Sequence, residues 1–325
     1  MAEGLLQPGQ CVTVRVPGTS ANLGPGYDSL GLAVALYDTL TVETQADTSD
    51  PDDLQFELDG EGAAGLPRDA THLAVRAMDA ALARLGYRRG GLKIIASNVL
   101  PHGRGLGSSA AAIVAAVSAA NALVPEAARR DAQWVFQLAS ELEGHPDNVA
   151  PAVFGGAAIS WQEAGVYRSA RLTPSSTVIP VVAVPAVELP TKAARAMLPA
   201  SVPHASAAAN AARAALLVHA LTQDPALLLA GTQDYLHQHY RSAAMPDSSA
   251  LMDALRARGL AAFVSGAGPT IMTLANGDEE ASRAEWIMAG KDAQGEPGKI
   301  SRVRWRVLRL DVDVEGAKVE LHRRY

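Results

Sequence analysis

Gly103, Gly105 and Gly107 stand at alternate positions in PHGRGLGSSAA, residues 101–111, directly ahead of two serines and an alanine run. A phosphate group needs converging backbone N–H groups and a positive field, and the first turn of a helix offers both. Glycines let the chain fold back on itself and approach such an anion without side chains in the way. Ser108 and Ser109 then open a helix, where their hydroxyls can cap free N–H groups or meet a metal ion. The segment has neither the GK[ST] ending of a P-loop nor the GxGxxG spacing of a dinucleotide fold. Taken alone it is a glycine turn before a helix, and its neighbours must decide.

Three other stretches concentrate polar chemistry. Asn22 and Asp28 lie in SANLGPGYD, and Glu141, His145 and Asn148 in SELEGHPDN. Thr191 and Arg195 lie in TKAAR, and Arg241 in LHQHYR. Each has an ordinary structural use: Asx residues satisfy turns, a glutamate near a helix end sits in solvent, and an arginine caps a helix.

The elements that must position them follow from periodicity. CVTVRVP (11–17) alternates like a half-buried strand and runs into the glycine-rich loop 18–31. A helix over 71–85 is stopped by Gly86, and GLKIIAS (91–97) is a short strand leading to the glycine loop. A helix runs from Ser108 to about Leu123, and another over 126–143 buries Trp134, Val135, Leu138 and Leu142. The segment 150–160 reads as a buried strand. Apolar periodicity lapses over 161–175, which divides the chain into domains of 1–165 and 166–325. The second half has a strand at 177–185, helices at 191–198, 205–223, 225–238 and 248–258, and a strand–turn–strand at 261–275. In the closing strand Val303, Trp305 and Val307 share a face, then parity switches to Leu308, Leu310 and Val312, marking a bulge or a crossing.

Composition sets the bounds. The chain has 325 residues, 48% hydrophobic and 19% charged, the balance of a folded protein. A net charge of −6 argues against a nucleic-acid or anionic-membrane partner, since both favour a basic face. The single cysteine, Cys11, excludes an internal disulfide. The first residues lack a signal-peptide pattern and no apolar run spans a bilayer, so a cytoplasmic location is expected.

Together the segments resemble a known family. PHGRGLGSSAA is similar to the phosphate loop of the GHMP small-molecule kinases, VRVPGTSANLGPGYDSLG to their first motif, and VSGAGPTIMTL to their third. The three occur in the family's order, and SANLGPGYDSLGLA, HPDNVAP and TKAARAMLP resemble the homoserine kinases among them. The resemblance implies an α+β fold, with an N-terminal domain like domain 2 of ribosomal protein S5 and a ferredoxin-like C-terminal domain. It implies ATP as phosphoryl donor, Mg2+ as cofactor, L-homoserine as acceptor, and allows a homodimer. By the same resemblance Pro101, His102, Gly103, Arg104, Gly105, Leu106, Gly107, Ser108, Ser109, Ala110 and Ala111 wrap the ATP phosphates. Ser108 and Glu141 hold the metal, with Glu143 as the other candidate. Asn22, Asp28, His145, Asn148, Thr191, Arg195 and Arg241 form the substrate pocket, and Asn148, Arg195 and Arg241 act on the reacting groups. The chemistry suits that assignment, because an ammonium seeks a carboxylate such as Asp28 and a carboxylate seeks a guanidinium fork. Asn148 cannot take a proton and is expected to orient the hydroxyl. A mevalonate-type kinase, or a non-catalytic sensor of the same fold, is the alternative.

Overall fold

The valines Val12, Val14 and Val16 lie fully buried along one side of a strand in the computed structural model, which describes residues 4–45, 49–291 and 304–322. The first half contains β1 (Gly4–Leu5), β2 (Cys11–Ala21), β3 (Leu30–Thr44), β4 (Leu54–Gly60), α1 (Leu73–Leu85), β5 (Tyr87–Arg88) and β6 (Leu92–Asn98). It continues with α2 (Ser108–Leu123), α3 (Ala132–Glu143), α4 (Val149–Phe154), β7 (Ala157–Glu163) and β8 (Val166–Leu172). The second half contains β9 (Val178–Val184), α5 (Thr191–Arg195), α6 (His204–Thr222), α7 (Leu228–Gly231), α8 (Gln238–Arg241) and α9 (Pro246–Arg256). Then come β10 (Ala261–Val264), β11 (Ile271–Asn276), α10 (Asp278–Met288), β12 (Arg306–Arg309) and β13 (Lys318–His322).

Two sheets carry the molecule. The larger has seven strands in the order β13-β2-β3-β6-β4, with β7 and β8 added beyond the bend of β3. Helices α1 to α4 cover one of its faces through Val14, Leu82, Ile94, Val114 and Phe136. The smaller sheet is antiparallel, in the order β10-β11-β9-β12. Helices α9 and α10 cover one side of it through Leu251, Leu255, Ala284 and Met288. On its other side Val182, Phe263 and Met272 pack with Leu217 of α6 and with Leu32 and Val34 of the larger sheet. The two halves therefore share a core, as expected of an α+β protein with a cleft between domains.

Local chemistry explains how these elements serve the cleft. β2 and β3 lose register between Pro17 and Gly18, where proline cannot donate to the ladder. That bulge turns Thr19 to Asn22 toward the glycine loop. Helix α2 is apolar all round and almost wholly buried, which its alanines permit by letting neighbours approach closely.

Several expectations change. Residues 150–160 hold helix α4, a Gly155–Gly156 break and only then strand β7, because a short apolar run does not distinguish helix from strand. The β7–β8 hairpin straddles 165/166 and belongs to the larger sheet, so the chain passes to the smaller one after Leu172. The helix expected over 225–238 is broken, because the Asp234 carboxylate accepts the N–H groups of Leu236, His237 and Gln238. The apparent parity switch near Leu308 is neither a bulge nor a crossing, because β12 keeps an unbroken register with β9 and both of its alternating faces are covered. Trp305 and Val307 pack against the core under α9 and α10, whereas Leu308, Leu310 and Val312 pack into the shared core. Val303, also expected on this strand, lies outside the described residues. The chain then returns to the larger sheet, where β13 pairs with β2.

Candidate active site

Gly103, Gly105 and Gly107 all adopt positive φ, at 63°, 79° and 69°. The loop they form ends at the first turn of α2, where Gly107 is the N-cap residue and no side chain caps the free N–H groups. These amides and the helix dipole face the cleft as an anion cradle. The loop is pinned from behind. Leu106 is buried, its carbonyl accepts the Thr19 N–H, and the Gly105 carbonyl accepts Ser265 Oγ at 2.5 Å. A Cβ on Gly105 would sit 2.1 Å from the Ser265 carbonyl oxygen, so this glycine is required by the neighbouring turn. A Cβ on Gly107 would lie 2.0 Å from Thr19 Oγ1 and 3.1 Å from Asn148 Oδ1. Arg104 points away from the cradle, donating to the Ala186 carbonyl and lying 3.5 Å from Glu188.

The loop after β2 is strained. Asn22, Leu23 and Asp28 have φ of 69°, 49° and 53°, values that cost non-glycine residues energy and persist only where surroundings enforce them. Asn22 Nδ2 donates to the Gly266 carbonyl at 2.8 Å, and its Oδ1 accepts the Asp28 N–H at 3.0 Å. Asn22 thus borders the cleft while spending its amide on backbone, and its effect is to present Asp28. Asn210 Nδ2 and His237 Nε2 hold the carbonyls of Pro25 and Gly24, each at 2.8 Å.

Asp28 and Arg195 face each other as a two-pronged pair, with Arg195 Nη2 and Nη1 donating at 2.6 and 2.8 Å. Hydrogen bonding to Asp28 raises the Arg195 pKa further, and the guanidinium is permanently charged. Arg195 Nη1 also donates to Tyr27 Oη at 2.8 Å. Thr191, at the other end of α5, borders the same space. Arg241 enters it from α8, with Nε donating to the Ala194 carbonyl and Nη1 to the Gly266 carbonyl, both at 3.3 Å.

Opposite, the turn after α3 carries His145 and Asn148. His145 Nδ1 lies 3.2 Å from Asp147 Oδ1. Burial works against the imidazolium, but Asp147 and Glu143 outweigh it and raise the His145 pKa. Asn148 Oδ1 accepts Thr19 Oγ1 at 2.8 Å, which fixes its amide beside Gly107 and the start of α2.

Glu141 does not reach the site. Its carboxylate accepts Arg84 Nη2 at 3.0 Å and Gln137 Nε2 at 2.8 Å on the outer side of α3. Glu143 does reach it, accepting Ser109 Oγ at 2.8 Å at the helix N-terminus, and burial raises its pKa. The reason is helical geometry, since two residues along a helix are turned by about 200°. The buried face of α3 runs through Phe136, Ala139 and Ser140, and Glu143 continues it. Leu142, expected in the buried stripe, is 40% exposed. Spacing from Phe136 was the signal that selects Glu143. Tyr27, Thr19, Asp147 and Ser265 also border or brace the site and were not singled out by the sequence; the partners of Tyr27, Thr19 and Ser265 are distant along the chain.

Two cavities meet at the cradle. One, of about 290 Å³, is mostly apolar and lies between α1, α2 and strands β3 and β6, bordered by Leu40, Leu66, Leu73, Ala96, Ala112 and Ala115. The other, of about 140 Å³, holds Asp28, Glu143, His145, Asn148, Arg195 and Arg241. Gly103, Ser108 and Ser109 border both. A molecule with an apolar ring at one end, phosphates in the middle and a polar acceptor beyond matches this sequence of surfaces.

The family described as GHMP kinases N terminal domain matches residues 72–156, and GHMP kinases C terminal matches residues 208–288. The homoserine kinase of Streptomyces coelicolor is 50% identical over 309 residues, covering 95% of this chain and 94% of that protein. That of Streptomyces avermitilis is 48% identical, with 95% of each chain covered. The crystal structure of homoserine kinase from Cytophaga hutchinsonii superposes with a TM-score of 0.82 at 28% identity, covering 95% of this chain and 97% of that one. The chain belongs to the GHMP kinase family and, within it, to the homoserine kinases.

Proposed function

We propose that the protein transfers the γ-phosphoryl group of ATP to the side-chain hydroxyl of L-homoserine, a step of threonine biosynthesis, at the cradle formed by residues 101–111. The observation that carries this reading is the charge pattern of the smaller cavity. It holds a carboxylate, Asp28, already paired with one guanidinium, and a second, buried guanidinium, Arg241, with no carboxylate within ion-pair distance among the described residues. That arrangement complements a zwitterion, whose ammonium meets Asp28 while its carboxylate meets Arg195 and Arg241. The substrate therefore replaces an internal ion pair, and a molecule carrying only one of the two charges leaves a protein charge unmatched.

The apolar cavity takes the nucleoside, and the free amides of α2 take the phosphates. Glu143 and the Ser108 hydroxyl fit magnesium, which favours one or two carboxylates completed by phosphate oxygens and water. When bound, the ion offsets charge on the phosphates. Asn148, locked by Thr19 beside the cradle, orients the acceptor hydroxyl. Phosphoryl transfer draws most of its rate from alignment and charge neutralisation, so a dedicated base is not required. A cytoplasmic location and a homodimer belong to the same proposal, supported by the family likeness. No helix among the described residues is long and apolar enough to cross a membrane.

The test is a coupled ATP-turnover assay with L-homoserine, mevalonate and 4-hydroxybutyrate. Turnover is expected with homoserine and only background with the other two, which lack the ammonium. Comparable rates for mevalonate would overturn the assignment.

A further inference from the structure

Arg241 is 1% exposed, an unusual place for a guanidinium, and its contacts explain why it stays there. Its bonds to the Ala194 and Gly266 carbonyls are long, at 3.3 Å each. The shortest is from Nη1 to Nδ1 of His237, at 3.1 Å. His237 is wholly buried, and its other nitrogen, Nε2, lies 2.8 Å from the Gly24 carbonyl. A carbonyl only accepts and a guanidinium only donates. Nε2 must therefore carry the hydrogen and Nδ1 must be bare, a single neutral tautomer fixed by its two partners. Asp234 stands 3.6 Å from Nε2, but its oxygens accept three backbone N–H groups. The Tyr27 ring is the remaining neighbour, 5.3 Å from the imidazole and flanked by the guanidinium carbons of Arg195 and Arg241 at 5.6 and 5.5 Å. Burial and the charge of Arg241 depress the His237 pKa against the pull of Asp234.

We infer that His237 is a positioning residue for the amino-acid end of the substrate. As the Nε2–H imidazole it aims Arg241 from α8 and ties it to the strained loop that presents Asp28. One side chain thereby sets the separation between the cation that takes the carboxylate and the anion that takes the ammonium. This rests on the reading that Arg241 receives the substrate carboxylate.

The two bonds of His237 can be separated. The amide oxygen of asparagine hangs from the same carbon as Nδ1 and can still accept from Arg241, whereas glutamine reaches the Nε2 position and can still donate to Gly24. His237→Leu removes both and is expected to raise KM for homoserine about tenfold, with KM for ATP within about twofold. His237→Asn should recover most of that loss and His237→Gln little of it. Equal effects of His237→Leu on both substrates, or recovery by glutamine and not asparagine, would overturn the inference and leave His237 as a loop anchor. If the leucine variant does not fold, the asparagine–glutamine comparison decides alone. A double-mutant cycle with Arg241→Lys separates the two levels of the argument. Should Arg241→Lys leave homoserine KM unchanged, the carboxylate reading of Arg241 falls. Should it raise KM additively with His237→Leu, that reading stands and the positioning role falls.

Discussion

The two cavities that meet at the glycine loop are built on opposite principles. The larger presents a mostly apolar surface, to which Leu40, Leu66, Leu73 and several alanines contribute. The smaller is bordered by charged and amide groups already engaged with one another: Asp28 with Arg195, Glu143 with Ser109, Asn148 with Thr19. An apolar wall loses little when a ligand varies slightly, whereas a network of matched charges loses heavily when one partner is missing. On the proposed assignment, generality on the nucleotide side and strictness on the amino-acid side follow from that difference.

The boundary between them is the most sensitive point. Gly107→Val places a branched side chain at a left-handed φ and against Thr19, which displaces the start of α2, where Ser108 and Ser109 border both cavities. Its kcat/KM should drop about a thousandfold for both substrates; a loss confined to one would break the comparison. Next in size, Glu143→Gln should lower the apparent magnesium affinity about a hundredfold, while Glu141→Gln stays within about twofold. A magnesium titration of both variants separates the two carboxylates. Arg195→Lys keeps the charge but loses the fork, and should raise KM for homoserine about tenfold to thirtyfold with KM for ATP nearly constant. Parallel changes in both constants would mean that the cavities do not work separately. Ala112→Val, in the apolar cavity, should give the converse pattern on a smaller scale, raising KM for ATP about threefold and leaving homoserine untouched.

The smallest expected effect is on stability. His237 is held neutral with its pKa below 6.5, so in the unfolded chain it binds a proton that the folded form refuses. The contribution is present above the unfolded value near 6.5 and is lost as pH falls from there through the depressed folded value. Thermal melts at pH 7.5 and 5.5 should therefore show a smaller acid loss for His237→Asn than for the unaltered protein. His72, also depressed by burial, leaves part of the loss in place.

Much of this site could be read from residue types. The alternating glycines declared their left-handed turns because few other residues tolerate them, and the serines and alanines after them declared a helix start. Asp28, Arg195 and Arg241 were visible as charges in segments of recognisable pattern. The choice between Glu141 and Glu143 required the phase of α3, which depends on which of its apolar residues meets the core. Leu142 looked apolar enough to set that phase and instead faces solvent. Helix α4 escaped because Val149 to Phe154 is too short to show a period. Tyr27 meets Arg195, and His237 meets the Gly24 carbonyl, across more than a hundred residues, and local sequence carries no trace of such pairings.

Because the final strand, β13, pairs with β2, the strands of the smaller sheet lie, in chain order, between two segments of the larger one. Polypeptide links the two lobes twice, over 173–177 and again at 310–311, where Leu310 still hydrogen-bonds Pro180 of β9 and Asp311 already hydrogen-bonds Ala35 of β3, so neither lobe can be released by a single cut. These two covalent links, with the shared core of Val34, Leu217 and Phe263, oppose free rotation of one lobe against the other.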